Sequence, residues 1–222
     1  MFDLGKAVFG NQVDLRCPAG RSPLLRHVKI VLVALVLFAP GLHAAAAEND
    51  ANDEIRAFIE RVNEASADFF ASGSEADARA KARALLAWAF DMPAMGKAAL
   101  GSYWNEVTEE QRQEFMQAFE DDVISAYLRR MRPAGARLVF VGLRPPADGH
   151  YYAASRRSIN GKEDQTWIWR LRPEDRSFRI VDVLLNGRSA VDTERQEYAS
   201  VLKSNNGDFD ALMSFMRKRA AQ

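Results

Sequence analysis

Cysteine is almost absent from this 222-residue chain, and the only one, Cys17, lies before the longest apolar run, residues 30–39. The chain beyond that run therefore has no disulfide, no thiol nucleophile and no cysteine-bound metal. Histidine is nearly as scarce, because only His150 follows residue 47. Long apolar stretches are missing too, since ten residues fall well short of the roughly 20 that a membrane-spanning helix needs.

Neither sign of charge is in excess. Lys+Arg and Asp+Glu number 30 each, and after residue 47 the balance is 25 basic to 28 acidic side chains. Nucleic-acid binding needs a basic surface that displaces counterions from phosphates. A slightly acidic chain without a block of Lys and Arg lacks such a surface, so we do not expect nucleic acid as a partner.

The residues around the apolar run are typical of an export signal. Arg21, Arg26 and Lys29 precede residues 30–39, and the alanines at 44–47 provide small residues for cleavage. A membrane anchor is the alternative, but the run is too short for one. We therefore expect residues 1–47 to be a signal peptide and residues 48–222 to form a single domain.

Helical spacing of apolar residues dominates the next part of the chain. It predicts helices at residues 53–70, 75–90, 92–100 and 109–132, and residues that cap helix N-termini precede three of them. These residues are Ser74, Asp91, and Thr108 with Gln111 as a capping box. The longest helix has an apolar stripe at steps of four, which reads Phe115, Phe119, Val123, Tyr127 and Met131.

The period changes to two after residue 135, which predicts strands at residues 138–143, 151–159, 163–172 and 178–185. Asn160 and Gly161 fit a two-residue hairpin turn. Counted from that turn, Tyr152 is opposite Trp169 and Ala154 opposite Trp167 on one face, with Arg157 opposite Asp164 and Ser155 opposite Thr166 on the other. Two further helices follow, near residues 191–202 and, after an Asp208 cap, up to Met216. We predict an α+β fold: a four-stranded, mostly antiparallel curved sheet packed with helices around an apolar cavity.

Residues suited to catalysis are few. His150 has no G-x-S-x-G nucleophile motif to accompany it, and we interpret it as a solvated turn residue. The only run of carboxylates, Glu120, Asp121 and Asp122, lies on a predicted helix, where its members point in different directions. Such a run is more typical of a solvated face than of a metal site.

One enzyme alternative remains, the cone-shaped α+β fold in which a buried Asp and a Tyr isomerise steroids. Asp182 with Tyr103 or Tyr127 would fill those roles. We favour the simpler interpretation that Asp182 pairs with an arginine or a backbone amide at the sheet edge, because nothing in the sequence marks it as a group with a perturbed pKa.

Aromatic side chains on the long helix and on the sheet face suit either a plain core or a ligand cavity, and spacing alone favours the core. Six segments in register, however, resemble the MlaC family of exported proteins, also called toluene-tolerance proteins, which includes the HpnM branch found with hopanoid synthesis genes. The segments are LGSYW (100–104), TEEQR (108–112), WRL (169–171), IVDV (180–183), GRS (187–189) and RQEY (195–198).

The resemblance implies a monomeric periplasmic carrier without cofactor or catalysis. Such a protein holds phospholipid, or a hopanoid in the HpnM branch, between sheet and helices. It exchanges lipid with an inner-membrane ABC transporter complex and an outer-membrane lipoprotein complex. The chain departs from the family at Arg188, where an apolar residue is usual, and at Ala190, where a larger one is usual. The loop after the last strand is therefore expected to present a different partner surface or ligand rim.

A lipid cavity must be apolar, with polar groups restricted to its rim, because each acyl methylene removed from water contributes about 0.8 kcal/mol and an unpaired buried charge would offset that gain. The expected lining is Phe115, Phe119, Val123, Tyr127, Tyr152, Trp167, Trp169, Val181, Val183 and Tyr103. The expected headgroup rim is Arg170, Arg188 and Arg195.

Exported protein is predicted to begin near Ala47 or Glu48 and to stay in solution without detergent, because the apolar run is too short to anchor it. N-terminal sequencing of the exported material checks this. A membrane-bound protein that retains residues 1–46 would contradict it.

Overall fold

Six α-helices and five strands make up the part of the chain that the structure, a computed structural model, describes: residues 41–69, 73–132, 136–175 and 177–221. The helices are α1 (Gly41–Ala67), α2 (Glu75–Ala89), α3 (Met92–Leu100), α4 (Glu109–Met131), α5 (Ala190–Ser204) and α6 (Phe209–Ala220), with a short 3-10 helix (Gly101–Asn105) after α3. The strands are β1 (Ala136–Ala147), β2 (His150–Ile159), β3 (Lys162–Glu174), β4 (Ser177–Leu185) and β5 (Arg188–Ser189).

The helices begin at the caps that the sequence indicates. Ser74 accepts a hydrogen bond from the backbone N–H of Asp77 at 3.1 Å, and Asp91 accepts one from Ala94 at 3.0 Å. Thr108 and Gln111 form the reciprocal capping box. Each contact satisfies a backbone donor that has no partner inside the helix, which fixes where the helix starts.

The first helix is longer than predicted. α1 begins at Gly41, twelve residues before the expected start, and includes the alanine-rich residues 44–47, whose helix propensity is high. The predicted signal peptide otherwise lies outside the described residues. Its boundary, and with it the extent of the domain, stays a prediction.

One antiparallel sheet with strand order β1-β2-β3-β4-β5 forms the second layer. The α+β class and the four predicted strands are confirmed, and the two-residue β5 is an addition. It follows a tight turn at Asn186 and Gly187, where φ is +51° and +84°. That is the same Asn-Gly signal that predicted the turn at residues 160–161, and it was missed here because the strand after it is so short.

The predicted register of the β2–β3 hairpin is wrong by one residue. Ile159 pairs with Lys162 as the turn requires, but Asp164 is an extra residue that bulges out of β3. Beyond a bulge every pair shifts, so cross-strand partners change faces. The observed pairs are Tyr152–Arg170, Ala153–Trp169, Ala154–Ile168, Ser155–Trp167, Arg156–Thr166 and Arg157–Gln165.

The tryptophan face of the sheet packs against α4. The ring centroids of Trp167 and Tyr127 are 5.4 Å apart, and those of Trp167 and Trp169 are also 5.4 Å apart. Both tryptophans are fully buried. A Cβ at Gly96 of α3 would lie 2.4 Å from the Met116 sulfur of α4, so any side chain at residue 96 would require the Met116 side chain to move.

Asp182 ties the last long strand to α5. Its carboxylate is 1% exposed and accepts hydrogen bonds from the backbone N–H of Val183 at 2.8 Å and of Val191 at 3.2 Å, and from the Ser189 hydroxyl at 2.6 Å. The Arg170 guanidinium is 3.9 Å away. The structure thus confirms that Asp182 pairs with backbone amides at the sheet edge.

Asp182→Ala is predicted to lower the free energy of unfolding by roughly 2–4 kcal/mol, because it leaves two backbone donors and a hydroxyl unsatisfied where the chain turns into α5. Asp192→Ala is the control, since that carboxylate pairs with Arg195 at the surface. Removing this surface ion pair is expected to lower the free energy of unfolding by about 1 kcal/mol or less. Urea titration measures both values, and equal losses would contradict the structural role of Asp182.

Candidate functional site

An apolar pocket of about 80 Å³ lies between α4 and the tryptophan face of the sheet. Side chains of α2, α3 and α5 complete its wall. Twelve of its fourteen lining residues are apolar or aromatic, and two are charged. The fourteen are Leu86, Phe90, Met95, Phe119, Val123, Ala126, Tyr127, Arg130, Trp167, Val183, Leu185, Ala190, Val191 and Glu194.

Half of the expected lining residues face this pocket, and the structure brings them together from two layers. Phe119, Val123 and Tyr127 come from successive turns of α4, while Trp167 and Val183 come from adjacent strands. The helical stripe and the strand alternation therefore identified the two principal walls. Leu86, Phe90 and Met95 were not predicted, because the lining was sought mainly on the long helix and on the sheet face.

The other expected lining residues do not border the pocket. Phe115 packs between Phe119 and Tyr198, and Trp169 lies behind Trp167 with its indole N–H donated to Ser155 at 2.9 Å. The remaining three are placed differently: Tyr103 is half-buried in the 3-10 helix, Val181 is the extra residue of a bulge in β4, and Tyr152 is on the opposite sheet face because of the register shift.

The three arginines expected at the rim also lie elsewhere. Arg170 is on the sheet face away from the pocket, near Asp182, and its Nε is buried without a hydrogen-bond partner. Arg188 is exposed on β5. Arg195 pairs with Asp192, and its Cδ would lie 3.3 Å from a Cβ added at Gly101. None of the three lines the pocket.

Two charged residues that the sequence analysis did not select, Arg130 and Glu194, line the pocket and are half-buried. Arg130 is three residues after Tyr127 and seven after Val123, which puts all three on one face of α4. That spacing could have placed Arg130 at the site from the sequence alone. It was overlooked because the stripe on the long helix was traced only through its apolar residues.

Glu194 belongs to an ion-pair cluster around Arg219 of α6. The Arg219 guanidinium contacts the carboxylates of Asp122, Glu194 and Glu197. The Tyr198 hydroxyl also donates to Asp122, at 3.1 Å. Burial raises the pKa of Glu194, and its contact with Arg219 opposes that rise.

The expectation of a solvated face for the carboxylate run on α4 holds for two of its three members. Glu120 and Asp121 pair with Arg83 and are partly exposed. Asp122 is 2% exposed and lies within the Arg219 cluster, so the expectation was wrong for that residue. A buried charge of this kind requires a paired partner on a neighbouring element, which the sequence of one helix does not reveal.

The groups considered for catalysis are not brought together. The Asp182 side chain is on the sheet face opposite Val183, whereas Tyr127 packs on the Val183 side and shares a hydrogen bond of 2.7 Å with Ser66. Burial raises the pKa of Tyr127. His150 is the first residue of β2, directly after a turn, and donates from Nδ1 to the Asp148 carbonyl at 2.8 Å.

The described parts of the chain contain neither a cluster of metal ligands nor a membrane-spanning helix. Among residues 41–69, 73–132, 136–175 and 177–221, no three His, Cys, Asp or Glu side chains lie close enough together to hold a metal ion. In the same ranges, no helix has the length and hydropathy of a membrane span.

Comparison with known families and structures places this fold. Residues 50–218 match the family described as MlaC protein, and the chain belongs to that family. Its fold is similar to that of the phospholipid-binding protein from Ralstonia solanacearum, solved in complex with a phospholipid, with a TM-score of 0.62 and 19% identity over 78% of this chain and 97% of that chain. No curated protein sequence matches this chain.

Proposed function

We propose that this protein is a periplasmic phospholipid carrier, and that the acyl chains of the bound lipid occupy the pocket between α4 and the sheet. The observation that carries the proposal is the composition of that pocket, where twelve apolar or aromatic residues meet only two charged ones. Membership in the MlaC family and the phospholipid complex of the Ralstonia solanacearum protein support it. The pocket assembles no catalytic group, which favours a binding protein over an enzyme.

The energetics of transfer explain why charge is kept to two residues. A carrier must hold acyl chains about as well as a bilayer does, and each methylene removed from water contributes about 0.8 kcal/mol. Two chains of roughly 25–30 methylenes then represent about 20 kcal/mol. A single unpaired charge deep in the pocket would offset several kcal/mol of that, so charged groups belong at its edge.

The pocket must widen to hold a lipid. Its volume of about 80 Å³ is well below the roughly 300–1,000 Å³ of typical ligand pockets. The first turns of α5 are the wall that we expect to move, because they contribute Ala190, Val191 and Glu194 from the edge of the molecule. Ala190 is also a departure from the family, where a larger residue is usual, and the small side chain leaves room there.

The proposed route of the lipid runs between an inner-membrane ABC transporter complex and an outer-membrane lipoprotein complex, as in the family that the chain resembles. A carrier that moves through the periplasm requires export, which the predicted signal peptide at residues 1–47 would provide. Arg188 on β5 is exposed and departs from the family, so the turn that carries it is suited to a partner surface peculiar to this chain.

Val123→Phe is predicted to reduce co-purified phospholipid to roughly a tenth, because the larger ring occupies the pocket and overpacking costs about 1–3 kcal/mol. Mass spectrometry of an organic extract measures the lipid. Val139→Phe is the matched control, since Val139 is 51% exposed on β1. A hopanoid in the wild-type extract would replace phospholipid as the ligand, and an empty extract would contradict the carrier proposal.

Brominated acyl chains loaded into the protein are predicted to quench tryptophan fluorescence mainly through Trp167. Trp167 lines the pocket, whereas Trp169 lies behind it, so Trp167→Phe should remove the larger share of the quenching and Trp169→Phe the smaller. The two substitutions are matched in size and burial, which makes each a control for the other. Full quenching in Trp167→Phe would place the lipid outside this pocket.

A further inference from the structure

Arg130 is a cation at the pocket without a carboxylate partner. No Asp or Glu oxygen lies within 4.0 Å of its guanidinium among the residues that the structure describes, and its Nη1 donates only to the Ala126 carbonyl of its own helix, at 2.8 Å. The other charged lining residue, Glu194, pairs with Arg219, which it shares with Asp122 and Glu197. Arg130 is therefore the charged lining residue for which the described residues provide no ion-pair partner.

Three cations and one anion are the charged groups that act most strongly on Arg130. Burial, followed by the positive charge of Arg129, lowers the pKa of Arg130, and Arg157 and Arg219 act in the same direction. Glu194 is the negative group that opposes them. Arginine stays protonated in proteins, so its charge persists and an anion placed beside it would relieve the repulsion.

The position of Arg130 on α4 suits an amphipathic ligand. Val123 and Tyr127 lie on the same face, one to two turns nearer the middle of the helix, and both line the apolar part of the pocket. One helical turn advances about 5.4 Å. A ligand whose chains contact Val123 and Tyr127 thus has its polar end beside Arg130, which is half-buried and so reaches solvent.

We propose that the Arg130 guanidinium binds the phosphodiester of the carried lipid and thereby selects phospholipid over an uncharged lipid with the same chains. This assignment rests on the proposed carrier function and adds the residue that recognises the lipid headgroup. A guanidinium presents two parallel N–H donors that match two phosphate oxygens, whereas an uncharged glyceride offers no anion. Phosphate binding at a half-buried site also keeps the headgroup wet.

The chain holds Arg130 in place through its backbone. Arg157 of β2 donates from Nη1 to the Arg130 carbonyl at 2.7 Å, and Arg157 is itself paired with Asp164, the bulged residue of β3. This contact satisfies a carbonyl in the last turn of α4, where cations are favoured by the helix dipole. Arg157 is thus a positioning residue that joins the end of α4 to the sheet.

A competition experiment tests the assignment. The purified protein is stripped of lipid and incubated with vesicles that contain equal amounts of dioleoylphosphatidylglycerol and dioleoylglycerol, and the captured lipids are quantified by mass spectrometry. Arg130→Gln is expected to lower the ratio of phospholipid to diglyceride about tenfold, the usual scale for a charge-assisted hydrogen bond. Arg129→Gln removes the same charge one residue away and should leave the ratio within about twofold.

Arg130→Met provides a second variant that keeps the apolar stem in place should the glutamine variant fold poorly, and circular dichroism checks both. An unchanged ratio in a folded Arg130 variant would overturn the assignment while leaving the carrier intact. Wild-type protein that captures neither lipid would overturn the carrier proposal itself. Excess inorganic phosphate should leave the ratio of phospholipid to diglyceride unchanged. If added phosphate abolished the preference for phospholipid, Arg130 would instead be assigned to a free anion.

Discussion

The contact between Tyr127 and Trp167 joins α4 to the sheet, and the position of the pocket depends on it. Tyr127 reaches across the layers to Trp167, and its hydroxyl shares a hydrogen bond with Ser66 of α1, so one side chain joins two helices and the sheet. This contact places α4 beside the pocket, and the lack of a Cβ at Gly96 leaves the space that the Met116 side chain of α4 occupies. The pocket-lining residues of α4 form one row along the helix, and this row faces the sheet.

Polar groups add to the apolar packing that holds the α5 wall of the pocket. The first turns of α5 border the pocket, and their attachment is made by Asp182 at the N-terminus and by Arg219 farther along. Both attachments use buried charge with several partners, which costs desolvation but holds a specific geometry.

The sequence predicted what local chemistry determines and missed what long-range geometry determines. Caps at Ser74, Asp91 and Thr108 depend on residues within one turn, so the helix starts could be found from the sequence. The bulge at Asp164 could not, because strand alternation is the same on both sides of it and only the pairing shows the extra residue. Tyr152 was consequently assigned to the wrong face. Arg130 lay within the predicted helix, yet its lack of a carboxylate partner depends on residues of other elements.

The small volume of the pocket is itself consistent with a carrier. Leaving an apolar cavity empty costs about 24 cal/mol per Å³, so a vacant space of about 600 Å³, typical of ligand pockets, would cost roughly 14 kcal/mol. That equals the whole stability of an ordinary domain, about 5–15 kcal/mol. A chain without disulfides beyond residue 47 has no cross-link to support such a void. For the proposed carrier, closing over the pocket when the lipid leaves would avoid that cost, and contacts with the entering acyl chains would offset the cost of opening it again. Lipid occupancy and the position of the proposed α5 wall would then be coupled in one equilibrium.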